Sequence, residues 1–134
     1  MMSPLHTATL GSKVFLLEDN DISRQLMTDF LTAQGFNVLS LPSATTVLTV
    51  LKEFRPQIIL LDIKLPEIDG YTVLQLLKSH PTWKTVPIIV VSAFAFCADR
   101  DRALQLGANR YLIKPVKLPE LIQAIHEEIL YSCV

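Results

Sequence analysis

Residues 57–66 read Gln57-Ile58-Ile59-Leu60-Leu61-Asp62-Ile63-Lys64-Leu65-Pro66. Four aliphatic side chains in succession leave no polar stripe to face water, which predicts a strand buried on both sides. The run ends on a carboxylate and not on a turn residue. Asp62 therefore falls at a strand's carboxyl end, the edge where open parallel α/β sheets bind ligands, and an acid there is placed for chemistry.

Working outward toward the N-terminus, Arg55-Pro56 closes a helix carrying Val47, Leu48, Leu51 and Phe54, with Ser43 as its expected cap. Before it lies a short strand, Asn37-Val38-Leu39-Ser40-Leu41, broken by Pro42. Ile22, Leu26, Phe30 and Leu31 predict the apolar face of an earlier helix, stopped by Gly35. Val14-Phe15-Leu16-Leu17 is a second fully apolar strand, and it too ends in acid, at Glu18-Asp19 followed by Asn20 and Asp21. On the other side of Asp62, the turn-rich loop Leu65-Pro66-Glu67-Ile68-Asp69-Gly70 leads into a helix with Val73, Leu74 and Leu77 inward, ended by His80-Pro81. Pro87 to Ser92 is a buried strand, Ala98 to Leu106 the weakest helix by pattern, with Gly107 at its end, and Arg110 to Ile113 a fifth strand ending in Lys114-Pro115. Leu118 to Tyr131 closes the pattern as a helix with Leu121, Ile122, Ile125 and Ile129 inward.

Strand and helix thus alternate five times with short connections, which predicts an α/β fold: a doubly wound (βα)5 domain with a five-stranded parallel sheet. At 134 residues the chain suits one domain, expected over 13–131, with a flexible N-terminal tail over 1–12 and a short C-terminal tail over 132–134. Apolar residues make up 50% of the chain and the mean hydropathy is +0.37. None of the apolar runs reaches the ~20 residues a membrane helix needs, so no membrane span is expected. The first residues carry neither a basic stretch nor an apolar core, so a cytoplasmic location is expected. Cys97 and Cys133 have no metal or redox spacing and read as free thiols. A net charge of −1 gives no basic footprint for direct nucleic-acid binding.

The carboxyl edge collects Glu18 and Asp19 from the first strand, Asp62 from the third, Ser92 from the fourth and Lys114 from the fifth. With the flavodoxin-like strand order 2-1-3-4-5, the first and third strands are neighbours and three carboxylates meet at the crevice. Like charges that close raise each other's pKa unless a cation joins them, and an oxygen-only cluster with room for water suits Mg²⁺, or Mn²⁺ in its place. A divalent ion beside a free carboxylate, with a lysine and a hydroxyl to hold phosphoryl oxygens, is a site for phosphoryl transfer.

These residues, in this order and each at the end of its strand, resemble the receiver domains of two-component response regulators, from about Lys13 to Tyr131. The resemblance implies that Glu18 and Asp19 are the paired metal-binding acids and that Asp62 accepts a phosphoryl group from a sensor histidine kinase or a histidine phosphotransfer protein. It implies that the backbone carbonyl of Lys64 completes the metal shell, that Ser92 and Tyr111 are the switch residues, and that Lys114 is the active-site lysine, joined to Pro115 by a cis peptide. Lys64 and Phe94 fall where such domains tune phosphoryl lifetime. Glu-Asp-Asn, Leu-Pro-Glu-Ile-Asp-Gly and Ser-Ala-Phe-Ala most resemble hybrid-kinase receivers and stand-alone cell-cycle regulators. Glu18 in place of Asp and Ser92 in place of Thr keep the chemistry. The implied protein catalyses its own phosphorylation and dephosphorylation, is not a turnover enzyme on an external substrate, and is a monomer or a phosphorylation-dependent dimer. Its output, with no further domain expected in the chain, is a downstream protein contact through the face formed by the fourth helix, fifth strand and fifth helix, or onward transfer to a histidine phosphotransfer protein.

Each residue also has a structural reading. Asp62 could cap a turn, Glu18 and Asp19 could be solvated acids near a helix N-terminus, Lys114 an exposed lysine and Tyr111 a half-buried strand tyrosine. Three acids, a hydroxyl and a lysine gathered at four strand ends favour the functional reading. A flavodoxin-like cofactor carrier would need a Ser/Thr/Gly-rich phosphate loop where Glu18-Asp19-Asn20-Asp21 stands, and a haloacid-dehalogenase-like phosphatase a second acid at Lys64. A phosphorylation-independent pseudo-receiver usually lacks one of the acids or the lysine. His6, His80 and His126 read as surface residues, and Trp83 as loop packing.

Overall fold

Alternation along the strands divides the interior of the domain into two cores. The computed structural model describes residues 11–65 and 67–132. In chain order these form β1 (Lys13–Leu17), α1 (Asp21–Ala33), β2 (Asn37–Leu41), α2 (Val47–Phe54), β3 (Ile58–Leu61), α3 (Gly70–Ser79), β4 (Ile88–Ser92), α4 (Cys97–Gln105), β5 (Arg110–Ile113) and α5 (Leu118–Ser132). The strands pair in parallel in the order β2-β1-β3-β4-β5, which is the doubly wound arrangement expected from the sequence.

Phe15, Leu17, Ile59, Leu61, Ile88 and Val90 face one way, against Val47 and Leu51 of α2, Val73, Leu74 and Leu77 of α3, and Ala103 of α4. Val14, Leu16, Ile58, Leu60, Ile89 and Val91 face the other, against Met27 and Leu31 of α1 and Leu121, Ile122, Ile125 and Ile129 of α5. With both faces covered, the central strands have no solvent side and carry no polar alternation. Each such Leu or Ile buried contributes roughly 1.5–3 kcal/mol, so the sheet is the rigid part of the molecule.

Helix ends follow local chemistry. Asn20 caps α1 by accepting the Ser23 N–H at 2.9 Å. Gly35, at φ +96°, closes the same helix, its N–H donating to Thr32 O and that of Phe36 to Leu31 O. Gly107 repeats the arrangement after α4. Arg55 ends α2 in the left-handed region, at φ 54°, before Pro56.

Several side chains sit elsewhere than the periodicity suggests. Ile22 and Leu26 are exposed, while Met27 joins Leu31 against the sheet. Positions 26 and 27 lie about 100° apart around a helix, so only one of the two rows can face inward. Ser43 does not cap α2; Thr46 occupies the cap position without a side-chain bond, and the Ser43 hydroxyl turns to Glu67 instead. Trp83 belongs to the α2–α3 core, and His126 is buried, its ring 5.3 Å from that of Phe36. His6 and the first ten residues of the tail expected over 1–12 lie outside the described residues, as do Cys133 and Val134. Gly11 and Ser12 are tied in: the Gly11 N–H donates to Gly35 O, and Ser12 O accepts from Asn37.

Just beyond β3, Gly70 comes into close backbone contact with Ile63. Its N–H donates to Ile63 O at 2.9 Å, and a Cβ there would lie 2.4 Å from the Ile63 Cα and carbonyl oxygen. Backbone, not a flexible side chain, fills that space. Gly70→Ala is therefore expected to destabilise the domain by about 1–3 kcal/mol, the range of overpacking, read as a lowered urea midpoint; a midpoint equal to wild type would contradict this account of the β3–α3 loop.

Candidate functional site

Continuing each strand's alternation to its end sorts the predicted residues into two groups. Glu18 follows Val14 and Leu16, Asp62 follows Ile58 and Leu60, and Lys114 follows Leu112, all of which point to the α1–α5 side. Ser92 follows Ile88 and Val90, and Tyr111 packs with them, on the α2–α3–α4 side. Register completes the placement. Leu17 pairs with Leu61, so Glu18 and Asp62 are the next residues of adjacent strands, and the Asp62 N–H still donates to Leu17 O at 2.9 Å. The Lys114 N–H donates to Ser92 O at 2.8 Å, and the Lys114–Pro115 peptide is cis.

Lys114 Nζ binds both Glu18 Oε1 and Asp62 Oδ2, the latter at 3.0 Å. Glu18 is 1% exposed and Asp62 5%, whereas Asp19 is exposed. The two adjacent acids of β1 are thus unequal: one is sunk beside the lysine and the other lies at the rim. Burial and the nearby Asp62 carboxyl push the Glu18 carboxyl above its ordinary value, with Lys114 opposing them. Burial works against the Lys114 ammonium, but Glu18 and Asp62 outweigh it and raise its pKa.

Glu18, Asp19 and Asp62 can each turn one carboxylate oxygen to within 4.8 Å of the others. Asp19 and Asp62 border a cavity of about 470 Å³, lined also by Asn20, Asp21, Lys64, Ala93 and Lys114. The donor set is hard oxygen on one side with open room for water on the other, which fits an ion such as Mg²⁺ that keeps several of its waters. Lys64 itself is exposed, and its N–H donates to Asp62 Oδ1 at 3.0 Å.

Around this cluster, Ser92 is 1% exposed and its Oγ accepts the Phe94 N–H at 3.0 Å. The Phe94 carbonyl accepts the Tyr111 hydroxyl at 2.8 Å, so Ser92, Phe94 and Tyr111 form one connected chain. Arg24 is a supporting residue that sequence reasoning missed: its Nη1 donates to the Glu18 carbonyl at 3.0 Å, and it pairs with Asp21 at 2.6 Å. The only sequence signal for it is its place one turn after Asn20 on α1. Tyr71, also missed, sits next to Gly70 and reaches α4.

A parallel α/β domain with acids, a hydroxyl and a lysine converging at one sheet edge defines a signalling module of the receiver type. The chain belongs to the response regulator receiver domain family, whose profile matches residues 14–126, and so to the proteins of two-component signalling. The polar-differentiation response regulator DivK of Brucella anthropi is 35% identical over 116 residues, covering 87% of this chain and 94% of that relative. Among solved structures, a putative response regulator from Chloroflexus aurantiacus superposes with a TM-score of 0.84 at 27% identity, covering 89% of this chain and 98% of that one. The receiver domain of sensor histidine kinase PA1611 from Pseudomonas aeruginosa, with a magnesium ion coordinated in its active-site cleft, gives a TM-score of 0.81 at 31% identity, with the same coverage. Among the described residues no helix is long and apolar enough to cross a membrane.

The raised Glu18 pKa carries a pH signature. In metal-free protein the folded state holds the Glu18 proton more tightly than the unfolded chain, so this group's contribution to stability falls as pH rises from about 4.5 through the raised value. Lys114, also raised, contributes fully below its unfolded pKa of 10.5 and is flat over that window. Urea midpoints measured in EDTA at acid and at neutral pH should therefore show Glu18→Gln gaining on wild type as pH rises. A difference that does not change with pH would contradict the assignment.

Proposed function

We propose that this domain accepts a phosphoryl group on Asp62 from a histidine kinase or histidine phosphotransfer protein, in a Mg²⁺-dependent reaction, and thereby switches a protein-binding face. The observation that carries this reading is the Lys114 ammonium bonded to both Glu18 and Asp62 at the edge of an acid-lined cavity. It holds the acceptor carboxylate in place and supplies a donor beside the incoming group.

In the transfer, an Asp62 carboxylate oxygen forms the new O–P bond while the P–N bond to the donor's histidine breaks. The imidazole leaves with the electron pair of that bond. Lys114 turns a donor from Asp62 to a phosphoryl oxygen, and the Lys64 N–H, already 3.0 Å from Asp62 Oδ1, orients the carboxylate. A divalent cation held by Glu18, Asp19 and Asp62, with the Lys64 carbonyl as a further ligand, supplies neutralisation of the charge on the transferring group. The same residues serve the later hydrolysis of the acyl phosphate, in which a water oxygen forms the new bond to phosphorus and the Asp62 O–P bond breaks with its electron pair returning to the carboxylate. Inorganic phosphate leaves with the water's protons shared between it and solvent; the domain thus catalyses its own phosphorylation and dephosphorylation. Lys64, which lines the cavity, and Phe94, next in the chain to the lining Ala93, set how readily water reaches the phosphoryl group.

Ser92 then donates its hydroxyl to the phosphoryl oxygens, which displaces the Phe94 N–H from Oγ and shifts the carbonyl that Tyr111 holds. Tyr111 turns further inward as that segment moves, and α4 follows. Phe94, Phe96, Leu104, Ile113 and Tyr131 present exposed large apolar side chains on α4, β5, α5 and the segment before α4, which suits a protein partner that prefers one of the two shapes. On α1, which follows Glu18 and Asp19 in the chain, the exposed Ile22 and Leu26 give the phosphodonor protein an apolar ledge. The exposed free thiol of Cys97 fits a reducing, cytoplasmic setting.

Intact-protein mass after incubation with acetyl phosphate and Mg²⁺ tests the reading. Wild type is expected to gain one phosphate-sized increment that EDTA prevents, and Asp62→Asn to gain none. No gain in folded wild type would favour a phosphorylation-independent interaction module instead.

A further inference from the structure

Both ends of the connection from β4 to α4 are held by tyrosine hydroxyls. Tyr111 of β5 binds the Phe94 carbonyl at 2.8 Å, and Tyr71 of α3 binds the Asp99 carbonyl at 3.1 Å, with the Asp99 carboxylate at 3.5 Å. The Tyr71 ring also carries the Arg102 guanidinium, 4.0 Å from its centroid. The receiver reading uses Tyr111 and leaves Tyr71 without a role.

α4 has little else to hold it. Of Cys97–Gln105 only Ala103 is buried, and Phe96 at the N-terminal boundary gives no side-chain cap. A helix with so small an apolar stripe gains little from packing, so one hydrogen bond and one cation–π contact weigh heavily in its position. Tyr71 is itself 5% exposed and fixed in the core beside Val73 and Leu74. It follows Gly70, whose N–H is bonded to Ile63 O and whose missing Cβ lets the two backbones touch. Ile63 follows Asp62. The acceptor loop and the start of α3 therefore have no slack between them, and the next rigid contact outward is the grip of Tyr71 on α4.

We propose that Tyr71 is a positioning residue: its hold on Asp99 and Arg102 keeps α4 in the unphosphorylated position, and a change at Asp62 reaches it through Ile63 and Gly70. The coupling rests on the reading of Asp62 as the phosphoryl acceptor; the hold itself does not. A phosphoryl group enlarges the Asp62 side chain and alters the bond that Oδ1 accepts from the Lys64 N–H, so the loop backbone shifts and α3's first turn shifts with it. The Tyr71 route ends on α4 itself, at Asp99 and Arg102, whereas the Ser92–Phe94–Tyr111 route ends on the segment before it. Release of both frees the helix.

Amide hydrogen exchange on the full chain tests this, comparing wild type with Tyr71→Phe, Arg102→Leu and the exposed neighbour Thr72→Ala. In unphosphorylated protein, Tyr71→Phe is expected to speed exchange across residues 97–106 by about three- to tenfold, the worth of one hydrogen bond. Arg102→Leu should speed it by about two- to fivefold, as for a partly exposed cation–π contact. Thr72→Ala should leave it unchanged, and β1 and β3 should stay protected in all three. On phosphorylation with acetyl phosphate and Mg²⁺, wild-type α4 should approach the Tyr71→Phe rate, and the phosphorylation-induced increment in Tyr71→Phe should shrink while its phosphate-sized mass gain persists. Unchanged α4 exchange in both variants would overturn the proposal. So would a rise spread evenly over the sheet, or a full phosphorylation-induced increment in Tyr71→Phe. Absence of any mass gain in wild type would sink the acceptor reading, and the unphosphorylated comparison would still decide whether Tyr71 holds α4.

Discussion

Everything at the carboxyl edge depends on one electrostatic constraint: Glu18 and Asp62 end adjacent strands with almost no exposure and share a single ammonium, that of Lys114. Removing charges from water is costly, and a buried pair recovers that cost only with good geometry and further hydrogen bonds. Here the further bonds are backbone ones, from the Lys64 N–H to Asp62 and, at a longer 3.4 Å, from the Asn20 N–H to Glu18. One ammonium facing these acids and the rim carboxylate of Asp19 leaves an excess of negative charge. That excess suits a divalent cation, and the raised Glu18 pKa reflects first the burial of the carboxyl and then the neighbouring Asp62. The cluster is less an asset to stability than a charge held ready for a ligand.

Such a cluster persists because the sheet beneath it does not yield. Val14 to Leu17, Ile58 to Leu61 and Ile88 to Val91 are nearly inaccessible to solvent, and the two cores they separate are packed from both sides. The parallel register then delivers each functional side chain to one edge at a spacing fixed by strand pairing. Outside the sheet, rigidity is uneven. α3 is locked to the loop after β3 through Gly70, whereas α4 rests on Ala103 and on the hydroxyl and ring of Tyr71. A stiff site with one loosely held helix next to it suits the proposed switch, in which a local change of charge would be read out as a change of surface.

Much of this was legible in the sequence, for a specific reason. The apolar strands are unbroken and each ends abruptly in a functional residue, so Val14–Leu17 with Glu18, or Ile58–Leu61 with Asp62, fixes both the fold class and the position of the acid. What stayed illegible depends on rotation about helices and on contacts far apart in the chain. Ile22 and Leu26 satisfy a helical period as well as Met27 and Leu31 do, and only docking decides between the rows. Ser43 has the chemistry of a cap, but its hydroxyl is taken by Glu67, 24 residues away. His126 reads as a polar surface residue until α5 turns it in toward Phe36. The inequality of Glu18 and Asp19 arises because Glu18, just past the end of β1, still donates its N–H to Leu41 O and stays beside the sheet, whereas Asp19 lies one residue further out, a matter of register that neighbouring like charges do not reveal.

The central claim is that the carboxylates of Glu18, Asp19 and Asp62 form one divalent-cation site governed by Lys114. Titration of the ¹⁵N-labelled protein with Mg²⁺, followed by amide shifts, tests it most directly. The account predicts saturable shifts concentrated at residues 18–20, 62–64 and 114, with tighter binding when Lys114→Met removes the competing ammonium. Shifts that fail to saturate, or that scatter over acidic surface residues such as Asp29, Glu53 and Glu120 and ignore Lys114→Met, would contradict it.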